Sequence, residues 1–473
     1  MKKINFWNRK KELQFMDAGY AREGLEMLLL YGRRRVGKSE LIKQFSQDKP
    51  HIYYLCDKRG TVSNVKEMAR ICANFFGDIP PDVSAFYELF GYISARWREK
   101  GKGKLIVAID EFPYLVEKDD SIPSVFQKVV DETLAGADVL LVLCGSSISM
   151  MEEVALSYRA PLYGRRAGEF EVMPMRFADV YGYLKPMPMH KAVELYAFFG
   201  NVPAYFTAVD RERSVERELL DKVMSKGSRL YMEPEYLLRE ELRDISTYRG
   251  ILQAMARSTR LSEIASKAGI PAKDMPKYLK TLMSLRLVSK EMPATLKKSK
   301  KVRYMIEDNL FRFWFRSCDG NLSYLEEGRE GFVYDEFVRP DFNSIVSYSF
   351  EKLCREAVRA ACPFAARAVG SWWGKNPAKQ GGDDEEEIDI VAIGEKTDDI
   401  LFGECKWSTQ AVGTPVYADL KRKAAIVEWH AGRRTEHYAL FSRSGFTSGM
   451  RDLARAEGVM LFDLDAIEKA LLP

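Results

Sequence analysis

The stretch that most constrains the fold is an apolar run followed by a glycine-rich segment, residues 28–39, with the sequence LLLYGRRRVGKS. Its spacing, G-x-x-x-x-G-K-S, is typical of a loop that wraps a phosphate between a strand and a helix. Gly32 and Gly37 tolerate backbone dihedrals that a Cβ would forbid, so the loop can turn its N–H groups toward an anion. Four residues lie between these glycines and complete the predicted phosphate loop: Arg33, Arg34, Arg35 and Val36.

The two residues after the loop carry its chemistry. Lys38 is expected to reach the β and γ phosphates of a nucleotide, and the Ser39 hydroxyl is placed to ligate Mg²⁺. The helix that begins near Glu40 points its positive end at the anion. The alternative is a basic surface turn. The apolar strand before the loop and the amphipathic segment 41–45 after it supply the strand–loop–helix context that the mechanism needs.

A second motif, Leu105 to Phe112, reads LIVAIDEF. Five apolar residues suit a strand buried on both faces. Asp110 at its carboxyl end is predicted to hold Mg²⁺ through water, and Glu111 to orient and polarise the attacking water. The alternative, two carboxylates that only cap a strand, is disfavoured by the phosphate loop upstream.

Two later segments offer further contacts to a phosphate. The strand 137–145 ends at Ser146 and Ser147, and either serine is a candidate sensor of the γ phosphate, with an N-cap of the next helix as the alternative. The loop that follows contains Arg165 and Arg166. Either is a candidate arginine finger, and a solvated or salt-bridged loop is the other interpretation.

Strands alternate with helical patterns throughout the first 210 residues, for example a strand at 51–55 and helices at 65–76 and 85–97. Such alternation predicts a parallel sheet with helices on both faces. The sequence therefore predicts an α/β ATPase domain over residues 1–210, which includes the start of a helical lid.

These motifs resemble the archaeal-type AAA ATPases, a group within the signal-transduction ATPases. The resemblance rests on the phosphate loop, on Asp110-Glu111, and on three further segments, 144–147, 161–166 and 200–205. It implies ATP and Mg²⁺ as ligands. It also implies that Pro203, in a glycine-x-proline turn on a small lid, senses the nucleotide; a turn with no other role is the alternative.

The middle region, residues 211–320, is predicted to complete the lid and to form a winged helix. Three short helices, of which the second and third form a helix-turn-helix, precede a hairpin whose tip is the lysine-rich segment 297–301. Such a tip, with Lys273, Lys277 and Lys280 on the third helix, suits a DNA backbone. A protein-interaction or lid module, with a lysine-rich tip that is only solvated, is the alternative.

A second chemistry is predicted within residues 330–473. An amphipathic helix at 349–358 carries Glu351, a strand at 387–393 carries Asp389, and the next strand presents Glu404 and Lys406 on one face. Asp389 and Glu404 offer hard oxygen ligands to Mg²⁺ or Mn²⁺. Lys406 would orient a water or neutralise phosphate oxygens, and Glu351 would contribute from the helix.

This order resembles the D…E-x-K core of the restriction-endonuclease-like fold, and specifically the domain of unknown function that follows archaeal-type ATPases. Two features depart from that pattern. No proline precedes Asp389, and the segment 381–387 is strongly acidic, which would repel DNA unless it is a solvated turn. A degenerate nuclease fold used as a binding platform is the alternative. The last elements expected are a helix at 415–431 and strands at 437–442 and 459–463.

Composition sets the remaining limits. With 473 residues the chain exceeds one core, and a prior of about 100 to 200 residues per domain suggests about three domains. The net charge of +4 is too small to argue for nucleic acid by itself. Seven scattered cysteines and no membrane-length apolar run favour a cytoplasmic protein with reduced thiols and no membrane partner.

The sequence thus predicts an ATP-hydrolysing switch or motor coupled to a metal-dependent nuclease-like domain that acts on nucleic acid, with DNA as the partner. The fold class is a multidomain α/β protein: a P-loop AAA-type parallel sheet, a helical lid and winged helix, and a PD-(D/E)xK-like domain. The alternative is a nucleotide-gated regulatory ATPase that cuts nothing. Homo-oligomerisation stays open.

Overall fold

The computed structural model describes residues 6–158, 160–296, 301–376 and 384–472. The chain forms two compact units. One comprises the chain up to Met175 together with Val202–Thr207, and the other comprises Arg176–Asn201 and the chain from Ala208 onward. Residues 297–300 of the predicted wing tip and residues 381–383 of the acidic segment lie outside the described residues.

The first unit is built on a five-stranded parallel sheet. Its strands are β1 (Glu26–Tyr31), β2 (His51–Leu55), β3 (Leu105–Asp110), β4 (Val139–Gly145) and β5 (Gly168–Glu171), in the order β2-β3-β4-β1-β5. The helices are α1 (Lys10–Tyr20), α2 (Lys38–Ser46), α3 (Thr61–Phe76), α4 (Phe86–Lys100), α5 (Pro113–Lys118), α6 (Ile122–Lys128) and α7 (Ile148–Met151), with π-helical turns at Val129–Thr133 and Glu152–Leu156.

Side chains that alternate along β1 enter different cores. Leu29 packs with α3 and α4 on one face, whereas Leu28 and Leu30 pack with α1 and α2 on the other. Every residue of β3 and β4 is buried, as expected for central strands covered on both faces. The predicted parallel sheet with helices on both faces is confirmed.

Helices dominate the chain from residue 177 to 321. They are α8 (Phe177–Leu184), α9 (Met189–Phe199), α10 (Pro203–Phe206), α11 (Val215–Leu219), α12 (Glu233–Glu241), α13 (Ile245–Met255), α14 (Leu261–Ala268), α15 (Met275–Ser284) and α16 (Asn309–Phe313), with π-helical turns at Leu220–Met224 and Trp314–Cys318 and a 3₁₀ turn at Asp319–Asn321. Between α15 and α16 the strands β6 (Val288–Glu291) and β7 (Arg303–Ile306) pair antiparallel. Three helices followed by a hairpin is the order that the sequence predicts.

The last part of the second unit contains a mixed five-stranded sheet. Its elements are α17 (Leu322–Glu326), α18 (Glu330–Val333), a π-helical turn at Tyr334–Val338, α19 (Phe342–Ala361), β8 (Ala366–Lys375), β9 (Glu385–Gly394), β10 (Asp399–Lys406), α20 (Thr414–Ala424), β11 (Thr435–Ser442), α21 (Ser448–Glu457), β12 (Met460–Phe462) and α22 (Leu464–Leu471). The order is β12-β11-β10-β9-β8, with β8, β9 and β10 antiparallel and β10, β11 and β12 parallel.

One predicted helix is shorter in the structure. The helix expected at 415–431 is α20, which ends at Ala424. The Arg434 guanidinium donates to the carbonyl oxygens of Ala424 and Trp429, both at 2.9 Å, and also to that of Val427. These donors satisfy carbonyl groups at and beyond the helix end, so the chain leaves the helix without losing hydrogen bonds.

The sequence also predicts reduced cysteines and no membrane-spanning segment. None of the helices in the described ranges is long and apolar enough to cross a membrane. All seven cysteines fall in the described ranges and none is joined in a disulfide.

Candidate nucleotide site and carboxylate cluster

The phosphate loop joins β1 to α2, and its glycines are required by the backbone. Gly32 has φ of 146°, and a Cβ there would lie 2.4 Å from the Val172 carbonyl oxygen. Gly37 has φ of 94° with open space where a Cβ would lie, and Arg35 has φ of 68°. Three left-handed positions within six residues turn the loop back on itself, as anion-binding loops do.

An arginine outside the motif supports the loop. The buried guanidinium of Arg9 donates to the Val36 carbonyl oxygen and to the Met173 carbonyl oxygen, both at 2.7 Å. Arg34 in the loop donates to the Tyr114 hydroxyl at 2.8 Å. Sequence reasoning missed Arg9, because a single basic residue 23 positions before the loop carries no local signal.

Lys38 opens α2 and is buried inside the loop. Its ammonium group donates to the carbonyl oxygens of Gly32 at 2.8 Å and Arg33 at 3.1 Å. The ammonium therefore lies within the curve of the loop, at the place where a phosphate would offer stronger, charged acceptors than these two carbonyl groups.

Ser39 and Asp110 meet at one tyrosine. The Tyr53 hydroxyl on β2 donates to an Asp110 carboxylate oxygen at 2.7 Å, and the Ser39 hydroxyl is also hydrogen-bonded to it. Burial raises the pKa of Tyr53, and the Asp110 carboxylate raises it further, so this hydroxyl stays protonated and remains a donor. Tyr53 is a second residue that the sequence did not single out.

Glu111 and Ser146 also lie together. The Ser146 hydroxyl donates to a Glu111 carboxylate oxygen at 2.8 Å, and its backbone N–H approaches the same oxygen at 3.3 Å. Glu111 has φ of 52°, so its backbone turns sharply at the end of β3. Ser147 instead precedes α7, where its side chain makes no capping bond. Of the two candidate serines, Ser146 is the one that the structure places beside Glu111.

The structure places the two candidate finger arginines in internal ion pairs. Arg165 pairs with Asp131, with Nε–oxygen distances of 2.8 and 2.9 Å, and this contact raises its pKa. Arg166 pairs with Glu169 at 2.6 Å and lies over the Tyr163 ring. Either guanidinium would have to exchange its carboxylate for a phosphate. Pro203 is the first residue of the four-residue helix α10.

The second site lies where β9 and β10 separate. Their pairing runs from Ile400↔Ile393 to Gly403↔Ile390. At the next step the Cys405 N–H donates to a carboxylate oxygen of Asp389 at 2.8 Å. Asp389 therefore occupies the fork of the two strands, directly beside Glu404.

Two lysines hold Glu404. The Lys406 ammonium lies 2.8 Å from a Glu404 carboxylate oxygen, and the Lys423 ammonium on α20 lies 3.2 Å from the same oxygen. Burial lowers the pKa of Lys406, but the Glu404 carboxylate more than offsets this, so the pKa lies above its ordinary value. The predicted Glu404 and Lys406 lie together, and Lys423 is an unpredicted third member.

The carboxylates of this cluster disfavour one another's charge. Burial and the Glu404 carboxylate raise the pKa of Asp389 to about 7. Burial and the Asp389 carboxylate raise the pKa of Glu351 on α19 well above its ordinary value, although Arg355 lies 3.6 Å away. Glu351, Asp389 and Glu404 thus form one electrostatically connected group, which we call the carboxylate cluster.

The acidic segment before Asp389 is neutralised where the structure describes it. Glu385 pairs with Arg260 and Arg303, Glu386 pairs with Arg422, and Glu387 pairs with Arg303. The acidic residues 384–387 are not a free anionic surface, which weakens the objection that they repel a polyanion.

The two sites fit metal ions differently. In the first unit the Ser39 hydroxyl and the Asp110 carboxylate converge through Tyr53 and are hard oxygen donors that suit Mg²⁺. In the second unit, mutual repulsion among partly buried carboxylates is what a divalent cation would relieve. However, across ranges 6–158, 160–296, 301–376 and 384–472, no three His, Cys, Asp or Glu side chains already form a metal cage.

Comparison with known proteins gives the family. Residues 6–207 match a family of ATPase domains found predominantly in Archaea, and residues 314–420 match a family of archaeal and bacterial proteins of unknown function. An uncharacterized protein of Methanocaldococcus jannaschii is 31% identical over 433 residues, which cover 89% of this chain and 92% of that protein. The chain belongs to the archaeal-type ATPases.

Two further proteins are similar to parts of this chain. An uncharacterized ATP-binding protein of Methanocaldococcus jannaschii is 46% identical over 46 residues, which cover 10% of this chain and 78% of that protein. The solved structure of a Walker-type ATPase of Pyrococcus abyssi has a TM-score of 0.51 and 23% identity, covering 66% of this chain and 96% of that one. This archaeal-type ATPase therefore has a P-loop α/β domain, which binds nucleotide, followed by a separate C-terminal α/β domain.

Proposed function

We propose that this archaeal-type ATPase is an ATP-dependent switch or motor coupled to a metal-dependent nuclease that acts on nucleic acid. One observation carries the nuclease part: Asp389, Glu404 and Lys406 lie together at a strand fork, where burial raises the pKa of Asp389 to about 7. A buried cluster of carboxylates with a lysine is suited to bind a divalent cation and a phosphodiester. The C-terminal domain would then have a restriction-endonuclease-like fold.

In ATP hydrolysis the chain's own groups have distinct tasks. Lys38 exchanges its carbonyl acceptors for oxygens of the β and γ phosphates. Glu111 orients a water and accepts its proton as the water oxygen bonds to the γ phosphorus and the bridging oxygen leaves with ADP. Ser39 and Asp110 would hold Mg²⁺, which neutralises phosphate charge when bound.

Ser146 and Tyr53 prepare that step. In the structure Ser146 holds the Glu111 carboxylate, so Glu111 must release this hydroxyl or share it with the γ phosphate before it can contact water. The Tyr53 hydroxyl donates to one of the two Asp110 carboxylate oxygens and so fixes that oxygen alone. Arg165 or Arg166 would complete the site on leaving its internal partner, and Pro203 would contact the nucleotide from the lid.

In strand cleavage the carboxylate cluster would hold Mg²⁺ or Mn²⁺ through Asp389 and Glu404, and the bound ion would activate a water and stabilise phosphate charge. Lys406, two residues from Glu404 on the same face, would orient that water or neutralise the phosphate oxygens. The water oxygen bonds to phosphorus and gives up a proton to bulk water, one phosphorus–oxygen bond breaks, and the departing sugar oxygen takes a proton from bulk water. Glu351 adds a third carboxylate.

A non-cleaving binding platform is the second candidate. It is favoured by the contacts of Glu404, whose carboxylate already has two lysine partners that a metal must displace. In that case α13, α14 and α15 with the β6–β7 hairpin would act as a winged helix that binds DNA or protein, and the carboxylate cluster would be structural.

Incubation with DNA separates these candidates. The full chain is incubated with supercoiled plasmid and with single-stranded DNA, with Mg²⁺ or Mn²⁺, with and without ATP, beside an Asp389→Ala variant. We expect cutting by the parent chain and none by the variant. Cutting that survives the substitution contradicts the site assignment, and a parent chain that hydrolyses ATP but cuts neither DNA favours the platform.

A further inference from the structure

A large cleft lies within the second unit, between the α13–α14 segment, β7 and the first half of α19. Its volume is 1130 Å³, above the range of about 300–1,000 Å³ that small-molecule pockets occupy. Glu351 of the carboxylate cluster forms part of its wall. A cleft of this size beside the cluster suits a section of polymer better than a single metabolite.

Five arginines line this cleft, and they differ in their partners. Arg260, Arg303 and Arg316 each form an ion pair with a carboxylate. Within the described parts of the chain, Arg257 and Arg312 have no carboxylate within 4.0 Å. Two of the five guanidinium groups are therefore available to an anion that enters the cleft.

Five carboxylates also line the cleft, namely Glu263, Glu336, Asp341, Glu351 and Glu385. Arg312 contacts none of them in the described ranges. Its guanidinium stacks 3.8 Å from the centre of the Tyr348 ring and donates to the Ile345 carbonyl oxygen and the Ser349 hydroxyl, both at 3.0 Å. Its Nε and the Tyr348 hydroxyl are buried and have no hydrogen-bond partner among the residues that the structure describes. Burial lowers the pKa of Arg312 to about 10. The Glu351 and Glu307 carboxylates act on this guanidinium from a distance, without an ion pair. A buried cation with no carboxylate in contact is costly, and an anion bound beside it would lower that cost.

Exposed aromatic rings continue from the edge of the cleft. Phe337 lines the cleft and is 41% exposed, and Phe332 beside it is 38% exposed, with ring centres 6.3 Å apart. Tyr324 is 36% exposed and lies 5.1 Å from Phe332. The Arg329 guanidinium lies 4.6 Å from the Phe332 ring centre and 4.9 Å from that of Tyr324. Rings flanked by arginines are the usual platform for unpaired bases.

We propose that this cleft binds a single strand of nucleic acid, with phosphates against Arg257 and Arg312 and bases stacked on Phe337 and Phe332. A duplex keeps its bases stacked inside and offers only phosphates to such a surface, whereas a single strand offers both. The strand would pass Glu351 and so reach the carboxylate cluster. This inference rests on the proposed action on nucleic acid, and it specifies the substrate as single-stranded.

Strand binding is measured separately from cleavage. Fluorescence anisotropy of labelled oligothymidine, oligouridine and a duplex of the same length is recorded with the full chain, without ATP and with EDTA. We expect the single strands to bind more tightly than the duplex. Comparison of the two single strands shows whether a ribose or a deoxyribose backbone is preferred.

Two exposed cleft residues test the contacts. Phe337→Ala should weaken strand binding by about 5- to 150-fold, the loss expected for one stacked base. Arg257→Gln should weaken it less and should reduce the salt dependence of binding by about one counterion. Arg312→Gln tests the same cleft, but it is interpreted only if its circular dichroism and melting temperature match those of the parent chain.

Matched controls lie in the same unit outside the cleft. Tyr236 is 52% exposed and Arg455 has a 77% exposed side chain, so Tyr236→Ala and Arg455→Gln should leave strand binding unchanged. Equal losses in controls and cleft variants, a preference for the duplex, or equal displacement of the strand by a polyglutamate peptide would each overturn the inference.

The two proposals fail separately. If strand binding depends on Phe337 and Arg257 but the chain never cuts DNA, the cleft assignment is supported and the nuclease proposal is rejected. If cutting depends on Asp389 but the Phe337→Ala variant binds single strands as the parent chain does, the cleft assignment is rejected and the nuclease proposal stands.

Discussion

The phosphate loop of the first unit and the carboxylate cluster of the second both place two acidic residues and a lysine near strand ends, but they hold them differently. Asp110 is fixed by Tyr53, Glu111 by Ser146, and Lys38 by backbone carbonyl groups. In the second unit, Glu404 is held by lysines, and burial raises the pKa of Asp389 and Glu351.

The difference shows how each site depends on its ligand. Neutral hydroxyl and carbonyl partners keep the first site oriented before a nucleotide enters, and the nucleotide then replaces some of these partners. The second site has like charges close together, so protons, lysines or a metal must compensate them. Substitutions should therefore act on catalysis in the first site, and on metal binding, pH response and stability as well in the second.

The largest expected effect is that of Lys38→Ala on ATP hydrolysis. Loss of the ammonium that contacts the transferring phosphate should lower kcat by about 10²- to 10³-fold in a phosphate-release assay. The control is Lys100→Ala in the same unit, because Lys100 is half exposed at the end of α4 and pairs with Asp78. A Lys38→Ala variant that still hydrolyses ATP would show that the phosphate loop is not part of the catalytic site.

Asp389→Asn should lower the rate of metal-dependent cleavage by about 10²-fold or more, while the rate of ATP hydrolysis stays within about twofold of the parent chain. Asp399→Asn is the matched control, since Asp399 begins β10 and pairs with His437, away from the strand fork. Parallel loss of both activities would show that the two sites do not act as separate catalytic centres.

Metal binding to the cluster should depend on pH. Because the pKa of Asp389 is about 7 and a metal needs the ionised carboxylate, Mn²⁺ affinity should fall by up to about tenfold per pH unit below 7. Calorimetric titration at pH 6, 7 and 8 measures this. Equal affinity at all three values would contradict an Asp389 ligand with a raised pKa.

The same carboxylate should make the metal-free protein less stable as pH rises. The folded pKa of about 7 exceeds the unfolded value of about 3.9, so between these values the folded state binds more protons and stability falls with increasing pH. Asp389→Asn should reduce this decline and raise the melting temperature at pH 8 by a few degrees. Glu395→Gln, at an exposed position directly after β9, provides the comparison and should leave the decline unchanged.

The smallest expected effect is that of Tyr53→Phe on ATP hydrolysis. It removes one hydroxyl between Ser39 and Asp110, a loss of about 1 kcal/mol, so kcat should fall about fivefold with Mg²⁺ affinity lowered in parallel. Tyr54→Phe, which removes a hydroxyl bonded to Asn64 instead, should leave kcat unchanged. An unchanged kcat in Tyr53→Phe would mean that β3 positions Asp110 without help from the Tyr53 hydroxyl.

Local patterns predicted the parts of both sites that depend on neighbouring residues. Gly32, Gly37 and Lys38 could be recognised because a phosphate loop uses consecutive backbone groups, and Glu404 and Lys406 because alternate strand residues share a face. The central strands were recognisable because burial on both faces requires continuous apolar sequence. The end of α20 was missed, because the carbonyl groups there bond to Arg434 from a later segment.

The sequence by itself determined the strand–loop–helix, the parallel sheet of the first unit, and the order of Glu351, Asp389, Glu404 and Lys406. Only the tertiary structure decided that Ser146 rather than Ser147 meets Glu111, and that Tyr53, Arg9 and Lys423 complete the sites. The reason is physical. Spacing encodes which residues share a turn or a face, whereas partners from distant segments are set by sheet order and packing, which no local pattern records.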